Sequence, residues 1–242
     1  MSDFDIDPAL REQLSKTTTN TITGLLIQMH GMRTRTINGV SAINPSKTRF
    51  IGPAFTVRTV PIREDLERTA SMANPGSRLH GTIDKIPPGS VVVYDMGGET
   101  RCGAMGDVMI AAMKVRGVVG VVADGAMRDG GAIAEMGLPV WCTNVAPPPI
   151  GHSLFTAGVQ ETIGCGGVMV VPGDIVVGDE DGVVVIPRHL APEIAKKGAD
   201  KEEVEAWVRS RVDAGESATG LYPPDEKVIE AFHKWKAGGG KL

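Results

Sequence analysis

Arg128 and Asp129 stand side by side in VVGVVADGAMRDGGAIAEMGLPVWC, residues 118–142. An apolar run breaks off at Asp124-Gly125 and the two charges follow shortly after. Arginine offers a planar fork that matches a carboxylate. Aspartate offers a hard oxygen ligand for Mg²⁺ or Mn²⁺, ions that keep several waters and take only one or two protein carboxylates. The pair fits an anion clamp beside a metal ligand. It also fits a surface ion pair at a helix start, with Asp129 as the cap. The dipeptide alone does not separate the two.

A second feature converges on the same place. The apolar run SVVVYD (90–95) leads into the glycine-rich GGETRCGAMG (97–106), and a helix pattern starts at Gly106-Asp107. The first amides of a helix have no intrahelical partner and carry the positive end of its dipole. Glycines let a small anion approach them closely. The amides of Asp107, Val108 and Met109 therefore form a candidate carboxylate cradle. Asp107 equally suits a plain helix start, where aspartate is favoured.

The elements that must position these residues follow from periodicity. Residues 8–30 read as helical, with Ser15 or one of the threonines as a cap. Residues 49–60 alternate and read as a strand, and 63–73 as a helix. A Pro-Gly turn and buried strand occupy 86–98, and a helix over 106–117 ends at Gly117. VVGVVADG is the next strand, RDGGAIAEMG the next helix and PVWCTNV a further strand. This alternation from about 90 to 145 implies a parallel βαβ core. In such a sheet ligands bind beyond the carboxyl ends of the strands, so both loops open onto one crevice. Residues 167–187 change character to short strands with a tight DEDG turn, a meander or hairpin. From 191 the chain is charged and helical. With no repeat and no long linker, residues 1–242 read as a single domain with N-terminal helices and a helical extension over about 191–242.

Bulk properties exclude several classes. The net charge of −4 leaves no basic footprint for nucleic acid. No apolar run approaches the roughly 20 residues of a membrane span, and the acidic start MSDFDIDPAL is unlike a signal peptide. Cys102, Cys142 and Cys165 are too scattered for a disulfide framework or a close-pair zinc site, which fits a reducing cytoplasm.

The span GAMGDVMIAAMKVRGVVGVVADGAMRDGGAIAEMGLPVWC resembles the RraA-like family, which includes class II 4-hydroxy-4-methyl-2-oxoglutarate aldolases and protein regulators of ribonuclease E. Its hallmarks are matched by GD at 106–107, DGAMRD at 124–129 and PGDIVVGDEDGVVVIP at 172–187. The likeness runs from NTITGLL (20–26) to the C-terminal helices. The resemblance implies an α/β fold: a βαβ parallel core sheet with a second β layer and flanking helices, similar to the swivelling phosphohistidine domain. It also implies a homotrimer or homohexamer.

Carried over residue by residue, the resemblance makes Asp129 the ligand of a divalent Mg²⁺ or Mn²⁺. Arg128 would hold substrate and neutralise an enolate oxygen. The amides of Gly106 to Met109 would hold the carboxylate of a pyruvoyl group, and Asp107 would orient a water on the metal. Glu202 or Glu205 would reach the site of a neighbouring subunit, the sequence not choosing between them. The expected activity is metal-dependent cleavage of a 4-hydroxy-2-oxo acid to pyruvate through an enolate, with oxaloacetate decarboxylation beside it. No lysine is required, so no Schiff base is implied. Residues 220–235 depart from the family pattern, which leaves the distal group of the substrate open.

Two rivals stand beside this expectation. A non-catalytic regulator binding ribonuclease E is disfavoured by the presence of Asp129, since the resemblance implies that such regulators lack the metal aspartate. A lyase or dehydratase on a sugar-derived oxo acid would use the same enolate logic, and a dehydratase would release no pyruvate. His152 in GHSL reads as a loop or cap residue rather than a phosphohistidine. Cys165 reads as packing and DEDG as a turn rather than a calcium loop. The GG pairs at 97–98 and 130–131 make no dinucleotide fingerprint.

Overall fold

A computed structural model describes residues 4–65 and 80–241. The helix expected over 63–73 lies almost wholly outside the described residues. Residues 8–30 are helical and form two helices, α1 (Pro8–Ser15) and α2 (Thr19–His30), the second capped by one of the threonines. The break falls where Ser15 and Thr17 turn their hydroxyls back onto the carbonyls of Glu12 (2.7 Å) and Gln13 (3.0 Å). Such side chains compete with the helix ladder and favour caps. Thr18 then caps α2, its Oγ1 accepting from the Thr21 amide at 3.2 Å.

The strands are β1 (Thr36–Ile37), β2 (Ser41–Ala42), β3 (Phe50–Pro61), β4 (Val91–Asp95), β5 (Gly120–Ala123), β6 (Ala126–Met127), β7 (Val140–Cys142) and β8 (Asn144–Val145). They continue as β9 (Leu154–Val159), β10 (Ile163–Cys165), β11 (Val168–Val170), β12 (Ile175–Asp179) and β13 (Gly182–Ile186). The main sheet runs β1-β13-β12-β3-β4-β5-β7-β2, with β9 also on β3. The βαβ core is as the alternation implies: β3, β4, β5 and β7 are parallel neighbours. Its crossovers carry α3 (Asp107–Val115) and α4 (Gly130–Glu135). The hairpin β12–β13 turns at Asp179 to Gly182 as the DEDG signal requires.

The second β layer is not a separate sheet. The first residues of β3 pair antiparallel with β12, from Phe50↔Gly178 to Pro53↔Ile175. The next residues pair parallel with β4, from Ala54↔Val91 to Arg58↔Asp95. One strand thus belongs to both layers. Phe50, Val93, Val122, Trp141, Val176 and Val185 belong to the core between them. A second core packs Ile110, Met113 and Ile133 of α3 and α4 against the parallel half. A third packs α1, α2 and the start of α5 (Ala191–Asp213) against the antiparallel half. The far end of α5 makes its own small cluster with α6 (Glu226–Ala237), where the rings of Trp207 and Phe232 lie 5.8 Å apart. Among the described residues no helix is long and apolar enough to cross a membrane.

Phe50 shows how tightly the two halves meet. A Cβ added at Gly120 on β5 would lie 2.7 Å from its ring, and one at Gly178 on β12 closer still. Both glycines are required by packing, since overfilling a close-packed interior forces the backbone apart. Gly178→Ala should therefore lower the stability by about 1–3 kcal/mol, and Phe50→Ala by about 3–5 kcal/mol. Urea denaturation tests both, and an unchanged midpoint for Gly178→Ala would contradict the fit.

Candidate functional site

The loop leaving β4 returns along β6. Gly103 donates to the Pro148 carbonyl (2.9 Å), Ala104 to the Ala126 carbonyl (2.8 Å), and the Arg128 amide to the Met105 carbonyl (2.9 Å). This ladder lays residues 103–105 against 126–128. It works only because Gly103 lacks a side chain: a Cβ there would lie 2.6 Å from the Met127 carbonyl carbon and 2.7 Å from the Arg128 nitrogen. The next residues to meet are Gly106 and Asp129. A Cβ at Gly106 would overlap the Asp129 carboxylate.

Asp129 sits at the N-cap of α4 in left-handed backbone, φ 53° and ψ 36°, and its side chain makes no capping bond to α4. That conformation is uncommon outside glycine, though aspartate tolerates it better than most. It turns the carboxylate away from its own helix toward the start of α3, where Oδ2 faces the Asp107 amide at 3.4 Å. Asp107 is the first residue of α3, and its Oδ1 accepts from the Val108 amide at 2.7 Å. Two of the three amides of the expected cradle thus already face carboxylates. The Val108 side chain is exposed, whereas Met109 packs against the core under the parallel half.

Arg128 and Asp129 form no ion pair with each other. The Arg128 side chain is half-buried, and its Nε is shielded from solvent without a hydrogen-bond partner. Arg128, Asp129, Gly106 and Asp107 are therefore brought together, as the sequence implies. Glu202 and Glu205, expected to reach the site of a neighbouring subunit, lie away from the site of their own chain: α5 packs on α1 and α2, in the layer opposite to α3 and α4. Glu202 accepts from the Thr18 amide (2.9 Å) and hydroxyl (2.6 Å), which ties α5 to the start of α2. Among the described residues Glu205 pairs only with Lys201, at 3.7 Å.

Two acids at the ends of β4 and β5 escaped the sequence reading. Asp124 accepts from the amides of Met96 (2.6 Å) and Gly166 (3.1 Å), and Asp95 from those of Gly97 (3.2 Å) and Gly164 (3.4 Å). They pin the hairpin β10–β11 and the loop after β4 to the sheet ends. Burial pushes the ionisation of both up, and the charge of Asp124 pushes Asp95 up further. The available signal was an acid closing each of two buried strands, VVVYD and VVAD. Beside Asp95 lies a cavity of about 440 Å³, also lined by Thr59, Glu99 and Arg101. There Arg101 grips Glu99 (2.6 and 2.9 Å) and holds its carboxyl down to about 2.

The family model described as RraA-like, Aldolase/RraA, matches residues 12–185. The chain belongs to the RraA-like family. A protein of Halalkalibacterium halodurans, provisionally named a 4-hydroxy-4-methyl-2-oxoglutarate aldolase, is 36% identical over 185 residues, 73% of this chain and 81% of that protein. Protein DlpA of Legionella pneumophila is 28% identical over 226 residues, 87% of this chain; the match spans only 35% of DlpA. The crystal structure of Streptomyces coelicolor RraAS2, described as an unusual member of the RNase ES inhibitor RraA protein family, superposes with a TM-score of 0.76 at 32% identity. That match covers 84% of this chain and 97% of RraAS2. RraA-like relatives thus carry both aldolase and inhibitor names.

The half-buried acids Asp95 and Asp124 make a pH prediction. Asp95 and Asp124 ionise at higher pH in the folded chain than in the unfolded one. The stability they contribute is present below the ordinary aspartate value of 3.8 and falls as pH rises through the raised folded value. Asp95→Asn should therefore gain stability relative to wild type between about pH 4 and pH 7. Urea titrations of both proteins at the two pH values check this, and a constant or shrinking difference would count against it.

Proposed function

We propose that this RraA-like chain is a divalent-metal-dependent lyase. It cleaves a 4-hydroxy-2-oxo acid of the 4-hydroxy-4-methyl-2-oxoglutarate type to pyruvate through an enolate, with oxaloacetate decarboxylation as a side reaction. The observation that carries the proposal is the unpartnered Arg128 Nε beside the Asp129 carboxylate at the start of α3. A buried donor without an acceptor costs about 1–3 kcal/mol, which a ligand oxygen would recover.

The donor set fits a hard cation. Asp107 and Asp129 offer two carboxylates at one helix start. Among the described residues no group of three or more His, Cys, Asp or Glu converges as a structural zinc cage would need. Mg²⁺ and Mn²⁺ accept so sparse a set because they retain waters. When bound, such an ion supplies Lewis-acid polarisation of the 2-oxo group.

The chain supplies the rest. The amides at the start of α3 take the substrate carboxylate, aided by the helix dipole, as the aspartate carboxylates turn outward. Asp107 orients the water that removes the 4-hydroxyl proton. The bond between C3 and C4 breaks, its electron pair moves to the 2-oxo oxygen, and C4 leaves as a carbonyl. Arg128 faces the oxygen where that charge grows, and a proton added at C3 gives pyruvate. In oxaloacetate CO₂ leaves in place of the carbonyl product. The same proposal includes a homotrimer or homohexamer in which a neighbouring copy lends a glutamate. Glu205 is freer for this than Glu202, which is committed to Thr18.

Likeness to RraAS2 supports the rival reading, a regulator that binds a ribonuclease. Pyruvate release separates them. With Mg²⁺ or Mn²⁺, 4-hydroxy-4-methyl-2-oxoglutarate and oxaloacetate should both yield pyruvate, and EDTA should abolish it. Arg128→Ala and Asp129→Ala should each lower kcat/KM by on the order of 10²-fold or more. No pyruvate with either metal, or an Asp129→Ala protein as active as wild type, sinks the lyase. Direct binding to a ribonuclease would then favour the regulator.

A further inference from the structure

A groove of about 900 Å³ lies away from Arg128, between the end of α2, the turn after β11 and the segment after β13. Arg33, Arg35, Arg188 and His189 line it, with one acid, Asp174. Three arginines against one aspartate leave a formal charge of +2 with His189 neutral, on a chain whose net charge is −4. A local field of opposite sign to the whole molecule draws anions to that spot.

Arg33 and Arg35 are the charges available for a ligand; Arg188 is engaged elsewhere, its guanidinium donating to the carbonyls of Gly173 (3.3 Å) and Asp5 (2.6 Å). Arg33 is exposed and makes no hydrogen bond or ion pair among the described residues. Arg35 donates only to backbone carbonyls, of Thr34 (2.6 Å) and Met169 (3.4 Å). Its own carbonyl accepts from the Val185 amide at 2.9 Å, which fixes the segment against β13. Asp174 is 8% exposed, and its carboxylate is occupied by the amides of Val171 (3.0 Å) and Arg188 (3.4 Å). It braces the groove wall rather than neutralising Arg33. Two apolar side chains of the lining are open: Met169 is 58% exposed and Val171 40%.

We propose that this groove binds a phosphate ester carrying a flat or apolar group, of the nucleotide class. Guanidinium forks match phosphate oxygens in pairs. The exposed methionine and valine give a ring a surface to cover, and methionine adapts to its shape. The volume falls within the range of about 300–1,000 Å³ common to small-molecule sites. A small dicarboxylate would satisfy the arginines and leave that apolar surface bare.

Calorimetry on the full chain with ADP, pyrophosphate and adenosine tests the assignment. ADP should bind more tightly than pyrophosphate, and adenosine more weakly than either. Arg33→Ala with Arg35→Ala should weaken ADP at least about tenfold with a thermal melt close to that of wild type, since Arg33 is exposed and Arg35 is half-buried with bonds to backbone carbonyls alone. The lysine pair at these positions should fall between, keeping charge and losing the fork. Met169→Ser should weaken ADP and leave pyrophosphate unchanged. Failure of ADP to bind at millimolar concentration, or equal binding to the alanine pair, overturns the site. Pyrophosphate as tight as ADP overturns the ring-binding surface.

Discussion

Everything in this fold hangs on β3 serving two layers at once. Its first residues complete the antiparallel half and its next residues open the parallel half. The two halves can face each other only because the Phe50 ring finds glycine on both sides, Gly120 and Gly178. Hydrophobic burial drives the layers together, but close packing decides the distance at which they stop. That distance fixes where the ends of β4 and β5 lie, and the candidate site is built on those ends.

At the site the same rule operates on backbone. Gly103 and Gly106 let one loop approach the next to within hydrogen-bonding range, and the left-handed turn at Asp129 aims a carboxylate across the gap. An aspartate there gives up backbone ease for position, as strained residues at functional sites commonly do. Rigid strands on one side and short helices on the other hold the charges without either neutralising the other. Asp95 and Asp124 reinforce this by tying the neighbouring hairpin to the strand ends at the cost of partly burying two carboxylates.

The charge arrangement divides the surface by task. At the helix start two acids and one arginine share a small space, which suits a cation and an oxyanion together. In the groove by α2 arginines gather around exposed apolar side chains, which suits an anion with a body. Along α5 the acids are spent differently: Glu202 fastens α5 to the threonine cap of α2, while Glu205 among the described residues has only a weak lysine contact.

Much of the frame was legible in the sequence. Alternation of apolar runs with helical ones dictated the parallel core, Gly117 and the DEDG turn marked their ends, and DGAMRD and GD pointed to the residues that meet. These are local signals, set by periodicity and backbone preference. The cap expected at Ser15 or a threonine within 8–30 falls at Thr18, and it divides that helical stretch in two as the Ser15 and Thr17 hydroxyls bond to backbone. Tertiary structure alone decided that the two β layers share β3, that Arg128 and Asp129 do not pair, and that Glu202 is committed to Thr18. It also raised Asp95 and Asp124, whose ionisation depends on burial, and gathered Arg33, Arg35 and Arg188 across more than 150 residues of chain. A sequence specifies which groups a residue carries; which neighbours and how much water surround them is fixed only when distant segments pack.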